Sequence, residues 1–259
     1  MKVVILCGGQ GTRLREETEF KPKPMVTIGS MPILYHIMKR YASYGFDEFV
    51  LCLGYKGEQI KDYFLNYQFM NNDFTMNLNQ RKNEIVHKNA RADNWSITFA
   101  DTGLNACTGA RVKKIEKYLD GSEDFFVTYG DGLSDVNIDA LLKFHKKQGT
   151  IATLTAAHPH SRWGRIRENE EGKIVEFVEK PVLFDYINGG FFVFKQALFD
   201  YLSEEDGCVL ESEPFEKLVS AGQFSCYKHD GFWHAMDTFK DALELNRIWN
   251  SGNVPWQVD

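Results

Sequence analysis

Along the chain, short apolar runs alternate with amphipathic stretches whose apolar positions recur every three or four residues. "VVILC" (3–7) is a run of the first kind and stops at two glycines. "SMPILYHIMKRYASYG" (30–45) is of the second: Ile33, Ile37 and Tyr41 share one helix face, Ser30 is placed as N-cap, Pro32 stands early, and Gly45 ends the helix. The pattern goes on with a strand over 46–55, a helix over 57–67, a helix in "ARVKKIEKYLDG" (110–121) and a strand in "DFFVTYGDG" (124–132) that breaks into a turn. "DALLKFHKKQG" (139–149) and "IATLTAA" (151–157) repeat the alternation. Such a chain predicts an α/β fold, a Rossmann-like, mostly parallel sheet flanked by helices.

Beyond residue 157 the texture becomes more antiparallel. "GRIRENEEGKIVEFVEKP" (164–181) predicts a hairpin turning at Glu171-Gly172, "INGGFFVF" (187–194) and "QFSCYKHDGFW" (223–233) predict further strands, and "TFKDALELNRIWNSG" (238–252) a terminal helix burying Phe239, Leu243 and Ile248. Residues 68–95 are polar and asparagine-rich without a sustained period, and are expected to form a long excursion with one short strand. No repeat or linker divides the chain, so one domain, 1–259, is expected.

Composition narrows the function. With 43% hydrophobic and 25% charged residues the chain is an ordinary globular one, and no apolar run approaches the roughly 20 residues of a membrane span. Met1-Lys2 leads straight into a strand without a signal-peptide layout, which predicts a cytoplasmic protein with no membrane partner. A net charge of -6 argues against nucleic acid, so any anionic ligand must be met locally. Cys7, Cys52, Cys107, Cys208 and Cys226 fit neither a zinc site nor a disulfide scaffold and are expected to be free. His158 and His160 flank Pro159 without a third ligand, which predicts loop histidines, and the five tryptophans are expected to serve as packing or interface anchors.

The loop after the first strand, "GGQGTRL" (8–14), satisfies neither the dinucleotide fingerprint, which needs a glycine where Leu14 stands, nor the P-loop, which needs Gly-Lys-Ser/Thr. Gly8, Gly9 and Gly11 can still let backbone N–H groups close on an anion, with Arg13 as a bidentate donor. A tight strand-to-helix connection carrying a solvated arginine fits the same residues. Lys23 lies between Pro22 and Pro24, which predicts an extended backbone there. Asp131 follows a strand between two glycines, where open α/β sheets place ligands, and Asp237 stands at the start of the terminal helix, where it can also serve as a cap.

"GGQGTRL" followed by "KPKPMVTIGSMPILYHIM", with "YGDG" (129–132), "VEKP" (178–181), "NGGFFVF" (188–194) and "GFWHAMDT" (231–238), closely resembles the sugar-phosphate nucleotidyltransferases nearly end to end. The resemblance implies the nucleotide-diphospho-sugar transferase fold, with about 1–135 as the nucleotide part and 136–259 as the sugar-phosphate part. It implies Arg13 at the departing β,γ-phosphates, Lys23 at the α-phosphate or attacking oxygen, and Asp131 and Asp237 sharing one Mg²⁺. The nucleotide would also meet Leu6, Cys7, Gly8, Gly9, Gln10, Gly11, Thr12, Thr108, Arg111 and Gly130. The sugar phosphate would meet Gly164, Glu179, Lys180, Asn188 and Gly189. "KPKPM", "DTG…TGAR", "INGGFFV" and "GFW…MDT" look most like the branch that joins CTP to glucose 1-phosphate. Use of dTTP or UTP, or a non-catalytic sugar-nucleotide sensor, stands beside it. The resemblance further implies a homo-oligomer, a trimer or hexamer, supplying deoxysugar and surface-polysaccharide synthesis.

Overall fold

The computed structural model describes all residues except 78–84, 88–92, 120, 160, 162 and 259. From the amino end, β1 (Val3–Leu6) leads through the glycine loop to α1 (Arg15–Thr18). A small hairpin of β2 (Thr27–Ile28) and β3 (Met31–Pro32) follows, then α2 (Ile33–Ala42), β4 (Glu48–Leu53), α3 (Gly57–Leu65) and α4 (Tyr67–Asn71). Next come β5 (Asp73–Thr75), β6 (Ile85–His87), β7 (Ser96–Asp101), α5 (Thr108–Lys114), β8 (Asp124–Tyr129) and β9 (Gly132–Ser134). The remainder runs α6 (Ile138–Gln148), β10 (Ala152–Ala157), β11 (Arg165–Glu168), β12 (Ile174–Val178), β13 (Ile187–Lys195), α7 (Glu213–Ser220), β14 (Phe224–His229), β15 (Trp233–Ala235) and α8 (Phe239–Asn250).

Seven strands form one sheet in the order β14-β10-β13-β8-β1-β4-β7, parallel except for β13. Along β1 the side chains alternate between two cores: Val3 and Ile5 pack with Ile33, Ile37 and Tyr41 of α2, whereas Val4 and Leu6 pack with Val112, Phe125 and Phe192. A strand covered on both faces has few polar positions, which is why β1 and β4 read as near-continuous apolar runs, with buried threonines, Thr128 in β8 and Thr153 and Thr155 in β10, as the polar exceptions. The antiparallel texture after residue 157 belongs to β13, to the β11–β12 hairpin and to β15, which pairs with β9, while β10 and β14 pair in parallel.

Several expectations need correction. Ser30 is not the cap of α2, which begins at Ile33 behind Pro32, and Ser30 lies in the β2–β3 turn. The predicted helix over 57–67 closes at Leu65, and the chain restarts as α4. Among the described residues the excursion over 68–95 holds two short strands, β5 and β6, rather than one. Lys23 is not extended: Pro22 is, and Lys23–Met25 form a single 3₁₀ turn, in which Pro24 gives up an N–H that a first turn does not need.

The terminal helix also turns a different face to the core. Phe239 and Leu243 are 41% and 56% exposed, while Ala242 and Leu245 are buried and Ile248 and Trp249 pack against the core. Both stripes fit a helical period, and two contacts choose between them. Asn246 accepts from Gly29 N at 2.9 Å and donates to Thr27 O at 3.2 Å, and a Cβ on Gly29 would lie 2.2 Å from the Trp249 indole.

The cap of α8 is Thr238, in a reciprocal box with Asp241. Burial opposes the Asp241 charge, but hydrogen bonds from His234 and Thr238 outweigh it and push the carboxyl down to about 2. The folded value is depressed, so the stabilisation is present above the unfolded carboxylate pKa of about 4 and disappears as pH falls toward about 2. Asp241→Asn is expected to lower stability by about 1 kcal/mol at pH 7, and urea unfolding should show the gap to the parent shrinking between about pH 4 and 2.

Candidate functional site

The carboxyl ends of β1 and β8 open onto a cleft of about 440 Å³. Its polar heart is assembled by backbone pairing. Gly130 N donates to Leu6 O at 3.1 Å, which anchors the turn after β8 beside the end of β1. β9 then pairs antiparallel with β15, Gly132 opposite Ala235, and Met236 N donates to Asp131 O at 2.9 Å. That register sets Asp131 and Asp237 side by side from positions far apart in sequence. The Lys23 turn packs onto the same spot: a Cβ on Gly130 would lie 3.0 Å from the Pro24 ring.

Lys23 bridges the two carboxylates. Its Nζ donates to Asp131 Oδ2 and, at 2.9 Å, to Asp237 Oδ1, which also meets Arg13 Nη2 at 3.0 Å. Burial works against the Lys23 ammonium, but Asp131 and Asp237 outweigh it and hold its pKa above the ordinary lysine value. Lys23 is therefore fully charged at neutral pH. The N-cap of α8 is Thr238 rather than Asp237, with the capping box made by Thr238 and Asp241.

The glycine loop borders this cluster. Gly8, Gly9, Gly11, Thr12 and Arg13 line the cleft, whereas Gln10 lines a neighbouring cavity of about 340 Å³ with Thr12 and Arg15. Gly11 adopts φ 62°, and its carbonyl accepts from Leu14 N at 2.9 Å and Thr18 Oγ1 at 3.0 Å, which folds the loop back into a turn. Burial pushes the Cys7 thiol well up, so Cys7 offers the cleft no thiolate.

Arg111 lines the cleft but spends its donors on the protein. It is 4% exposed, with Nη1 donating to Leu53 O at 3.1 Å, Thr102 Oγ1 at 2.7 Å and Gly103 O at 2.9 Å, and Nη2 to Gly8 O at 3.0 Å and Leu104 O at 3.4 Å. Burial lowers its pKa from the usual arginine value. The guanidinium sits where a Gly8 Cβ would be, 2.0 Å away, so only glycine permits this clamp on the loop.

A second polar chain crosses the cleft wall and was not legible in the motifs. Thr108 Oγ1 and Tyr129 OH both donate to the Glu211 carboxylate, and Asn188 Nδ2 donates to Tyr129 OH at 3.2 Å. Burial, then the Glu211 charge, raise the Tyr129 pKa, which keeps the phenol protonated. Asn188 thereby reaches the wall through Tyr129, and the Gly189 carbonyl accepts from Trp233 Nε1 at 2.7 Å. Gly164, Glu179 and Lys180 stand apart from the cleft lining, at the base of the β11–β12 hairpin. There a Gly164 Cβ would lie 3.1 Å from Glu179 Oε2, and Lys180 Nζ is 3.8 Å from Glu179 Oε1. His158 meets Asp230 at 3.3 Å, and His160 lies outside the described residues. The five cysteines are free. Among the described residues no helix is long and apolar enough to cross a membrane.

The model of the nucleotidyl transferase family matches residues 2–251. The chain is 44% identical over 259 residues to glucose-1-phosphate cytidylyltransferase of Salmonella typhi, covering 100% of this chain and 99% of that protein. The Salmonella typhimurium glucose-1-phosphate cytidylyltransferase matches with the same identity and coverage. Among solved structures, UDP-glucose pyrophosphorylase complexed with UDP-glucose superposes with a TM-score of 0.67 at 17% identity, over 97% of this chain and 98% of that one.

Proposed function

Because the chain belongs to the nucleotidyl transferase family, we propose that it transfers the cytidylyl group of CTP to α-D-glucose 1-phosphate, giving CDP-D-glucose and pyrophosphate. The observation that carries the catalytic part of this reading is the convergence of Asp131 and Asp237 on Lys23, with Arg13 beside them, at the mouth of the glycine loop. A sensor without activity has no need to keep two carboxylates and two cations in register.

In this reaction a sugar-phosphate oxygen attacks the α-phosphorus, so two anions approach and negative charge gathers on the departing pyrophosphate. Lys23, charged at neutral pH, offsets the first repulsion, and Arg13 offers a planar donor to the β,γ-phosphates. Gly8, Gly9 and Gly11 leave room for the chain's own N–H groups to meet the phosphates.

The donor set fits Mg²⁺. Two carboxylates within bonding reach of one nitrogen are close enough to share a cation. Among the described residues no group of three or more His, Cys, Asp or Glu forms a closed cage, and magnesium habitually completes one or two carboxylates with phosphate oxygens. Bound there, the ion would neutralise phosphate charge and align the triphosphate. Lys23 would leave the carboxylates to the metal and turn to the substrate.

A homo-oligomer, a trimer or hexamer, belongs to the same reading. It is supported by the apolar face of the β11–β12 hairpin, where Ile166, Ile174 and Phe177 are 56%, 61% and 62% exposed. So does a cytoplasmic setting, supported by five free thiols.

The test is product identification. CTP, glucose 1-phosphate and Mg²⁺ should yield CDP-glucose by mass spectrometry, chelation should stop the reaction, and added Mg²⁺ should restore it. Absence of CDP-glucose with any divalent cation would contradict the reading. Asp237→Asn should raise the half-saturating Mg²⁺ concentration by at least about 10-fold, the loss that even an outer-sphere partner causes.

A further inference from the structure

One carboxylate on the cleft wall has no task in phosphate transfer. Glu211 lines the cleft with Cys107, Thr108 and Val209, on the side built by the start of α5 and the segment leading to α7. Its partners hold it in one orientation. Thr108 Oγ1 donates to Oε2 at 2.5 Å while accepting from Leu210 N at 3.0 Å. Tyr129 OH donates to Oε1 while accepting from Asn188 Nδ2 at 3.2 Å, and Asn188 Oδ1 is itself fixed by Gly190 N at 3.0 Å.

A carboxylate has about four lone-pair sites, and these two hydroxyls use two of them. What remains is acceptor capacity at a fixed place in the cleft. The two donors are neutral, so the negative charge is not cancelled by them. Such a group repels phosphate and any oxo group, and attracts an N–H.

The nucleobases divide on this criterion. Cytosine presents an amino donor at its 4-position, whereas uracil and thymine present an oxygen acceptor there. A site built to pair with a donor rejects an analogue lacking it more strongly than a shape-based pocket does, because its buried acceptor is left unpaired. A fixed carboxylate adds a repulsive element against the 4-oxo bases.

We propose that Glu211 sets the nucleobase choice of this enzyme, accepting an amino hydrogen of cytosine and turning away the 4-oxo group of UTP and dTTP. This rests on the reading of CTP as the donor substrate. Thr108 and Tyr129 act through Glu211: they hold its oxygens so that the free lone pairs keep one direction.

The test compares the wild-type enzyme and Glu211→Gln with CTP, UTP and the triphosphate of the 2-pyrimidinone ribonucleoside, which is cytidine without its 4-amino group. In the wild type, kcat/KM should fall roughly 10- to 100-fold from CTP to this analogue, the range for a hydrogen bond to a charged group. In Glu211→Gln the same comparison should give less than about threefold, the UTP-to-CTP ratio should rise at least about 10-fold, and KM for glucose 1-phosphate should stay within about twofold. A wild-type enzyme that uses the analogue as well as CTP would overturn the proposal without any variant. So would a Glu211→Gln enzyme that keeps both wild-type ratios, or one whose loss lies in KM for glucose 1-phosphate, which would assign Glu211 to sugar hydroxyls. Absence of wild-type turnover with CTP would overturn the cytidylyltransferase reading itself and this proposal with it.

Discussion

Lys23→Ala is expected to lower kcat roughly 10²- to 10³-fold while the protein stays folded. Lys23 donates to both Asp131 and Asp237, and it is held above the ordinary lysine pKa in a partly buried site. A charge so placed acts most strongly when two phosphates are forced together. Its loss should therefore fall on kcat and kcat/KM alike, with little change in KM for CTP. Folding should survive, because Arg13 remains on Asp237 and the turn is held through Pro24 against Gly130. The same variant should bind Mg²⁺ more tightly in the absence of nucleotide, since two carboxylates lose the cation that competes with the metal. Steady-state kinetics and titration calorimetry read both effects. A loss under about threefold in kcat would remove Lys23 from the chemistry.

Arg111→Leu is expected to cost about 3–5 kcal/mol of stability, on the order of 10 °C in melting temperature for a domain of this size. The arginine donates to Leu53 O, Gly103 O, Gly8 O and Thr102 Oγ1 within 3.1 Å, and ties the ends of β1, β4 and β7 to α5. Leucine fills part of the volume but takes the guanidinium donor from Gly103 O, while Leu53 O keeps Thr102 N and Thr102 Oγ1 and Gly8 O keeps Tyr55 N. The lost hydrogen bonds to a charged group, roughly 1.5–3 kcal/mol each before water or relaxation recovers some of it, make up the cost. Gly8 would also lose the clamp that fixes the start of the nucleotide loop, so turnover should fall together with stability. Arg111→Lys should recover only part, because one ammonium cannot span acceptors that a planar fork reaches. A melting shift below about 3 °C for Arg111→Leu would contradict this.

These two residues show how far sequence carried the site and where it stopped. The resemblance implies Lys23 at the phosphates and Asp131 and Asp237 at a shared metal; their own positions, between two prolines, at a strand end and at a helix start, fit those roles and equally fit a solvated lysine, a turn residue and a helix cap. Their meeting depends on the β9–β15 register, which joins residues more than one hundred positions apart. Arg111 was expected at the nucleotide, and it does line the cleft, but its guanidinium is committed to backbone carbonyls that no linear pattern reveals. Glu211 is further still from legibility. Its partners Thr108 and Tyr129 lie 103 and 82 residues away, and "VLESEPFEKL" reads only as an acidic lead into a helix with an early proline.

The fold was more open to reading than the site. β1, β4, β8, β10 and β13 were each legible as strands, β1 and β4 as apolar runs and β10 through the alternation of strands with helices despite its buried Thr153 and Thr155. The terminal helix was legible as a helix but not in its orientation. Two apolar stripes satisfied the period, and Asn246 and Trp249, meeting the β2–β3 turn, selected the one that leaves Phe239 and Leu243 outside. Ser30 failed as a cap because Met31 and Pro32 between it and α2 are used by β3, and the first helix N–H, that of Ile33, donates to Val26 O at 2.9 Å instead.

The most direct measurement is pyrophosphate release with glucose 1-phosphate and Mg²⁺, run in parallel with CTP, UTP, dTTP, ATP and GTP. Turnover with CTP should exceed that with every other nucleotide by at least about 10²-fold, as expected of a site that pairs with the base through a fixed acceptor. Preference for another nucleotide, or silence across all five, would contradict the assignment of this cleft to cytidylyl transfer.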